Sequence, residues 1–129
     1  MPSGLFEDGI GNAPRTMLSE GAVLTDSHVE EAVLGIGTRL HGVKVKRALI
    51  MGSDPQMRVG KIPKGAPPVG IGPGTVVENA IIDKNSRIGA NVQILNRDGV
   101  QEADGGGYVI RDGVVVVRRG AIIPDGTVI

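Results

Sequence analysis

The feature that most constrains the fold of this chain is an aliphatic residue that returns every five or six positions. In the first half the steps between these anchor residues are six, five, five, six, five and five, and two later blocks keep to fives and sixes. The anchors are Leu18, Leu24, Val29, Leu34, Leu40, Val45, Ile50, Ile71, Val77, Ile82, Ile88, Ile94, Val117, Ile123 and Ile129. A helical period of 3.6 residues cannot produce such steps, and a glycine stands inside many of the units.

Small and turn-forming residues stand between the anchors, as in "SEGA", "GIGT", "GPGT", "GANV" and "PDGT". Each unit of this hexapeptide repeat predicts one short strand and one turn, with three faces to a coil. A small residue stands two positions before the next anchor at Ala22, Thr38, Thr75 and Thr127, which fits a narrow interior. We therefore predict an all-β fold, a parallel β-helix whose stacked coils align aliphatic side chains.

The composition agrees with a thin core. The 129 residues include 21 Gly and 8 Pro but only one Phe and one Tyr, while apolar residues still make up 40%. The glycines indicate many tight turns, and the length suits one domain. A formal net charge of zero gives no global field for nucleic acid or membrane, so neither is an expected partner. The absence of Cys excludes disulfides and thiolate metal sites.

Two segments interrupt the repeat. Residues 52–70 carry no anchors and include several prolines, which predicts a loop projecting from one coil. Residues 97–112 form a second predicted excursion, in which the chain returns as strand with "GYVIRDGVVVV" from residue 107 onward. Residues 1–16 are expected to be a lead-in or a cap, so the β-helix domain is predicted over 17–129.

The stretch "LGIGTRLHG", residues 34–42, is similar to the glycine-rich nucleotide loop of sugar-nucleotide pyrophosphorylases. Such a phosphate loop should leave a buried strand and enter a helix. Here Leu34 and Leu40 are consecutive anchors, no helical pattern follows, and Gly42 stands where the signature has proline. We interpret the stretch as a turn of the β-helix.

Three longer segments are more specific than the repeat requires: "LIMGSD" at 49–54, "VENAIIDKNSRIGANVQILNRDGVQEAD" at 77–104 and "GYVIRDGVVVVRRGAIIPDGTVI" at 107–129. Together they closely resemble the C-terminal β-helix domain of glucose-1-phosphate adenylyltransferase (ADP-glucose pyrophosphorylase) of the plant, algal and cyanobacterial type. The resemblance runs from about Leu18 to Ile129 and keeps the order of the segments. It implies that the coil is left-handed.

That family makes ADP-glucose and pyrophosphate from ATP and glucose 1-phosphate for starch or glycogen synthesis. Catalysis belongs to a larger N-terminal domain that uses Mg and ATP, and nothing in this sequence corresponds to it. The resemblance therefore implies no catalytic residue, cofactor or metal in this chain. The implied partners are adenylyltransferase subunits and small phosphorylated effectors, 3-phosphoglycerate and phosphate. The implied location is the plastid or a bacterial cytoplasm.

Four basic residues are candidates for effector binding. Lys84, in "IIDKNSRIG", matches a lysine linked to effector binding in the family, and Arg119, in "VVVRRG", stands where the family usually has its other activator lysine. A lysine is a compact cation on a flexible stem, whereas an arginine holds phosphate bidentately. Arg97 and Arg111 flank the second loop and are candidates to complete a cationic cluster.

Two alternative functions remain open at the level of sequence. The first is a free-standing hexapeptide-repeat acyltransferase with a histidine general base, for which His41 is the candidate. His41 follows the anchor Leu40, so we expect it to face outward. The second is a non-catalytic decoy or interaction subunit, in which Lys84 and Arg119 play no part in phosphate binding.

Overall fold

The computed structural model describes residues 5–6, 15–19 and 21–129, without the side chains of residues 5, 6 and 58. These residues form fifteen short β-strands and one short helix. In chain order the elements are β1 (Leu5–Phe6), β2 (Met17–Leu18), β3 (Val23–Thr25), β4 (His28–Glu30), β5 (Val33–Leu34), β6 (Arg39–His41), β7 (Lys44–Ile50), α1 (Pro55–Val59), β8 (Gly70–Ile71), β9 (Val76–Ile82), β10 (Arg87–Ile88), β11 (Gln93–Ile94), β12 (Glu102–Asp104), β13 (Tyr108–Arg111), β14 (Val114–Val117) and β15 (Ile122–Ile123). The predicted all-β class is confirmed.

The strands stack in parallel series, and anchors of the same series pair with one another. The stretch of chain from one anchor of a series to the next is called a coil below. Strands β7 and β9 are long enough to take part in two series each, and each has a positive-φ residue at its middle, Arg47 in β7 and Asn79 in β9. The paired anchors are Leu18, Leu34, Ile50, Ile82 and Val117 in the first series, Leu24 with Leu40 and Ile71 with Ile88 and Ile123 in the second, and Val29, Val45, Val77 and Ile94 in the third. The aliphatic residues that return every five or six positions in the sequence therefore form rows of paired residues in every series.

The core consists of these anchors and small residues beside them. Twelve of the fifteen predicted anchors are buried, while Leu18, Ile71 and Ile129 are partly buried and pack against the others. Thr75 is fully buried because its hydroxyl is satisfied twice: it donates to the carbonyl of Gly89 at 2.8 Å and accepts from the amide of Val92 at 3.2 Å. A small polar residue thus fits the narrow interior while linking one coil to the next.

The turns after the first series require left-handed backbone. Gly37, Gly52, Asn85 and Gly120 all have positive φ and follow strands of this series on successive coils. At Gly52 a Cβ would also collide with the backbone carbonyl of Ile36 on the coil before it. Glycine and asparagine are the residues that adopt this conformation most readily, which explains their return at this corner.

Each interruption contains one element that the sequence does not predict, α1 in the first and β12 in the second, whereas β13 lies in the stretch predicted as strand. Residues 52–70 include α1, which begins at Pro55, a residue favoured in the first turn of a helix. Residues 97–112 include β12 and β13, which pair antiparallel with each other. Strand β13 then pairs antiparallel with β14 across Asp112 and Gly113, two positive-φ residues that form a tight hairpin turn. The second interruption therefore extends the first series by two strands.

Most of the predicted lead-in, residues 1–16, lies outside the described residues. Its described part includes Leu5–Phe6, which pair in parallel with Val23 and Leu24. Among the described helical residues, none form a segment long and apolar enough to cross a membrane.

We expect Ile88→Ala to destabilise the fold strongly and Ile36→Ala to have little effect. Ile88 is 1% exposed and lies between Ile71 and Ile123, whereas Ile36 is 69% exposed at a turn. Loss of a buried aliphatic side chain leaves a cavity, so the Ile88 variant should lose about 2–5 kcal/mol of unfolding free energy in urea titration. The Ile36 variant should lose less than about 0.5 kcal/mol. Equal losses in the two variants would contradict the assigned core.

Candidate functional site

Three turns on successive coils meet at one corner of the molecule. They follow Ile50, Ile82 and Val117, whose strands are paired in register. The amide of Asn85 donates to the carbonyl of Gly52 at 3.1 Å, and the amide of Gly120 donates to the carbonyl of Lys84 at 3.0 Å. These bonds hold Asp54, Lys84 and Arg119 on neighbouring turns. We call Asp54, Lys84, Asn85 and Arg119 the Lys84 corner.

Asp54 is the residue that ties this corner together. Its Oδ1 lies 2.7 Å from Lys84 Nζ, and its Oδ2 accepts from Asn85 Nδ2 at 3.1 Å. The backbone amide of Asp54 donates in turn to Asn85 Oδ1 at 2.9 Å. Although Asp54 directly precedes α1, its side chain does not cap that helix. The carboxylate is thus directed to the cation and the amide on the neighbouring turn.

The electrostatics of the corner favour the ionised carboxylate. Hydrogen bonds from Lys84 and then from Asn85 hold the pKa of Asp54 below its ordinary value, and the charges of Lys84 and Arg119 act in the same direction. Desolvation opposes these effects. The Lys84 side chain is 41% exposed and that of Asp54 24%, so water and salt screen the pair. The contact positions the two groups more than it stabilises the fold.

The turn that carries Lys84 rests on buried polar groups. Asn85 and Ser86 are buried, and the Ser86 hydroxyl lies within hydrogen-bonding distance of the carbonyls of Asp83 and Arg118. The carboxylate of Asp83 accepts from the backbone amide of Lys84 at 2.6 Å, which ties it to its own turn. The backbone of the corner is therefore fixed, whereas Lys84 and Arg119 reach solvent.

The four predicted effector residues do not all lie together. Lys84 and Arg119 share the corner, but Arg111 pairs in register with Val114, at the other end of β14. Arg111 Nη2 contacts Asp104 at 3.0 Å and its Nε lies 3.5 Å from Glu102. From Val114 to Val117 a strand covers about 10 Å. Arg111 thus lies away from the corner and is engaged by carboxylates of its own hairpin.

Arg97 also lies toward the far end of β14. Its neighbour Asn96 donates through Nδ2 to the carbonyls of Val100 at 2.9 Å and Gly113 at 3.0 Å, which places this turn beside the β13–β14 hairpin. Arg97 itself is exposed. Lys84 and Arg119 are therefore the two predicted residues that the fold brings together, and the effector role of all four stays a prediction.

Both histidines are exposed. His41 is exposed, as expected from its position after Leu40. His28 Nε2 lies 3.8 Å from Glu30 Oε2, in an exposed contact. Within the described part of the chain, His, Asp and Glu side chains form no group of three or more that could hold a metal ion.

Sequence reasoning missed Asp54 as a member of the site. The anchors do indicate that the three turns are neighbours, because Gly52, Lys84 and Arg119 each stand two positions after an anchor. Asp54 lies two residues beyond Gly52, at the start of the interrupting segment, where the repeat no longer gives its position.

We expect the Asp54 carboxyl to titrate below the ordinary aspartate range and to return toward it in Lys84→Met. Because the folded-state pKa is lowered, the contribution of the pair is present above the unfolded-state pKa and is lost as pH falls through the folded-state value. Carbon-detected NMR of the Asp54 carboxyl in both proteins measures the midpoints directly. Identical midpoints would show that Lys84 does not influence this carboxyl.

The comparison with known families agrees with this architecture. The family model of the GLGC left-handed parallel beta-helix domain matches residues 10–128. The matched range spans the anchors from Leu18 to Ile123 and all three turns of the Lys84 corner. The chain therefore belongs to the family of GLGC left-handed parallel beta-helix domains, the C-terminal domain of glucose-1-phosphate adenylyltransferase.

Proposed function

We propose that this chain acts as the regulatory and oligomerisation domain of a glucose-1-phosphate adenylyltransferase, the enzyme that forms ADP-glucose and pyrophosphate from ATP and glucose 1-phosphate. In this proposal the strand series close into a left-handed coil. The Lys84 corner then supplies part of a site for 3-phosphoglycerate or inorganic phosphate. The observation that carries the proposal is the position of Lys84 and Arg119 on adjoining, hydrogen-bonded turns.

The chemistry of the corner supports a phosphorylated ligand. Adjacent strands lie about 4.8 Å apart, so a lysine and an arginine on adjoining turns can reach one phosphate group. The guanidinium of Arg119 offers paired donors and the Lys84 ammonium a mobile point charge. In the Lys84 corner, Lys84 and Arg119 stand against Asp54, for a net charge of plus one. The sequence neighbours Arg118 and Asp83 add one charge of each sign and leave this total unchanged. We therefore expect weak binding by this chain and tighter binding once a neighbouring domain adds further cations.

The subunit contact is proposed to use the outer face of the first series. On this face six aliphatic residues, each paired in register with the next, form an unbroken row: Met17, Val33, Leu49, Ile81, Val116 and Val109. None of the six is buried, and Met17 is 70% exposed. Six strands extend the row over about 24 Å. Contiguous apolar surface of this kind is typical of protein interfaces, and the proposed occupant is another adenylyltransferase subunit.

Lys84→Ala and Arg119→Ala should each weaken binding of 3-phosphoglycerate and of orthophosphate by about ten-fold, because each removes a charge-assisted contact. Lys44→Ala is the matched control, since Lys44 is an exposed lysine at the start of β7. Isothermal titration calorimetry at low salt measures the affinity of all three variants for both ligands. Phosphate affinity unaltered in both corner variants would reject the effector site and favour an interaction subunit without effector sensing.

Leu49→Asp should abolish association of this chain with adenylyltransferase subunits, because it buries an unpaired carboxylate in the middle of the aliphatic row. Val59→Asp, at an 87% exposed position in α1, should leave association unchanged. Multi-angle light scattering of mixtures with a full-length subunit gives the molar mass of each complex. The proposed contact is wrong if the Leu49 variant associates like the wild type, or if the wild type does not associate.

A further inference from the structure

We propose that Asp54 is a built-in competitor for the effector, so that a phosphorylated ligand binds the Lys84 corner by displacing the Asp54 carboxylate from Lys84. This inference rests on the proposed effector role of the corner and adds a residue that sets its affinity and its selectivity. Asp54 belongs to the interrupting segment 52–70, whereas Lys84 belongs to the repeat.

The carboxylate already occupies the position that an anionic ligand needs. Asp54 Oδ1 lies 2.7 Å from Lys84 Nζ, the distance of a charge-assisted hydrogen bond between an ammonium and a carboxylate or phosphate oxygen. Asn85 Nδ2 holds the second carboxylate oxygen at 3.1 Å, and the charge of Arg119 also acts on this carboxyl. A phosphate that contacts both cations would therefore be placed beside a like charge unless Asp54 moves.

The contact is also one that a ligand can displace. Both side chains reach water, and exposed ion pairs of this kind contribute little net free energy. Asp54 stands outside the register of the repeat, just before α1, so its movement requires no change in the paired anchors. By contrast, the Lys84 turn is fixed by buried Asn85 and Ser86. The acid can leave while the cations stay in place.

Selectivity follows from this competition. A ligand must interact with Lys84 and Arg119 more favourably than the carboxylate already present. A phosphate dianion carries more charge and more acceptor oxygens than chloride or a simple carboxylate, so it competes better. Neutralising Asp54 raises the net charge of the corner from plus one to plus two, which should tighten binding of every anion and reduce the preference for phosphate over chloride.

The first test compares orthophosphate binding by the full 129-residue chain and its variants in calorimetry. The Asp54→Asn variant should bind orthophosphate about five-fold more tightly than the wild type does. Chloride should inhibit phosphate binding by this variant more strongly than by the wild type. Glu78→Gln is the matched control, because it neutralises a carboxylate that contacts Arg47 at 3.4 Å, and its affinity should stay within about two-fold of the wild type. Adding Lys84→Ala to Asp54→Asn should remove the gain.

A second test uses the wild-type protein and does not depend on the folding of a variant. Asn85 Nδ2 donates to Asp54, so its side-chain amide resonances should shift as phosphate saturates the corner and the carboxylate leaves. Resonances that stay in place while Lys84-dependent binding is saturated would overturn the competition.

The outcomes separate this inference from the function on which it rests. Lys84-dependent phosphate binding by the wild type, with equal or weaker binding by Asp54→Asn, overturns the competitor role and leaves the effector site standing. Absence of phosphate binding in both proteins overturns the effector site and the competitor role together. Tighter binding that disappears with Lys84 supports both.

Discussion

The in-register pairing of one anchor with the next is the constraint on which the rest of the structure depends. Parallel pairing of Ile50 with Ile82, and of Ile82 with Val117, brings each following turn to the same corner. Residues far apart in sequence thereby become neighbours whenever they stand at equal offsets from their anchors. Lys84 and Arg119, 35 positions apart, meet for this reason alone. Hydrophobic stacking thus specifies the geometry of a charged surface.

The same register explains how much could be predicted from sequence. Lys84 and Arg119 are predicted from the resemblance to a known family. Spacing alone predicts the short strands and the buried anchors, because both are properties of the repeat. Spacing does not predict α1, Asp54 or the position of Arg111, because these lie in segments that leave the repeat. The contacts of Arg111 depend on an antiparallel hairpin whose register is set by the turn at Asp112 and Gly113. In segments outside the repeat, side-chain contacts depend on packing between parts of the chain that are distant in sequence.

Asn85 shows how a backbone requirement can also supply a functional group. Asn85 stands three positions after the anchor Ile82 and has positive φ, as do Gly37 and Gly120 at the same offset from their anchors. Asparagine tolerates this conformation at modest cost. Its amide then holds Asp54 through two hydrogen bonds. The choice between glycine and asparagine at one corner therefore determines whether the turn is only a turn or part of a site.

A core of stacked aliphatic layers also limits which parts of the molecule can move when a ligand binds the proposed site at the Lys84 corner. The anchors are paired and buried on every coil, so bending the coil would break ladder hydrogen bonds and open voids along its length. Rearrangement of side chains at the surface neither breaks ladder hydrogen bonds nor opens voids. The proposed exchange of partners at Lys84 therefore requires movement only of the Asp54 side chain, which directly precedes α1 in segment 52–70, while the paired anchors keep their positions.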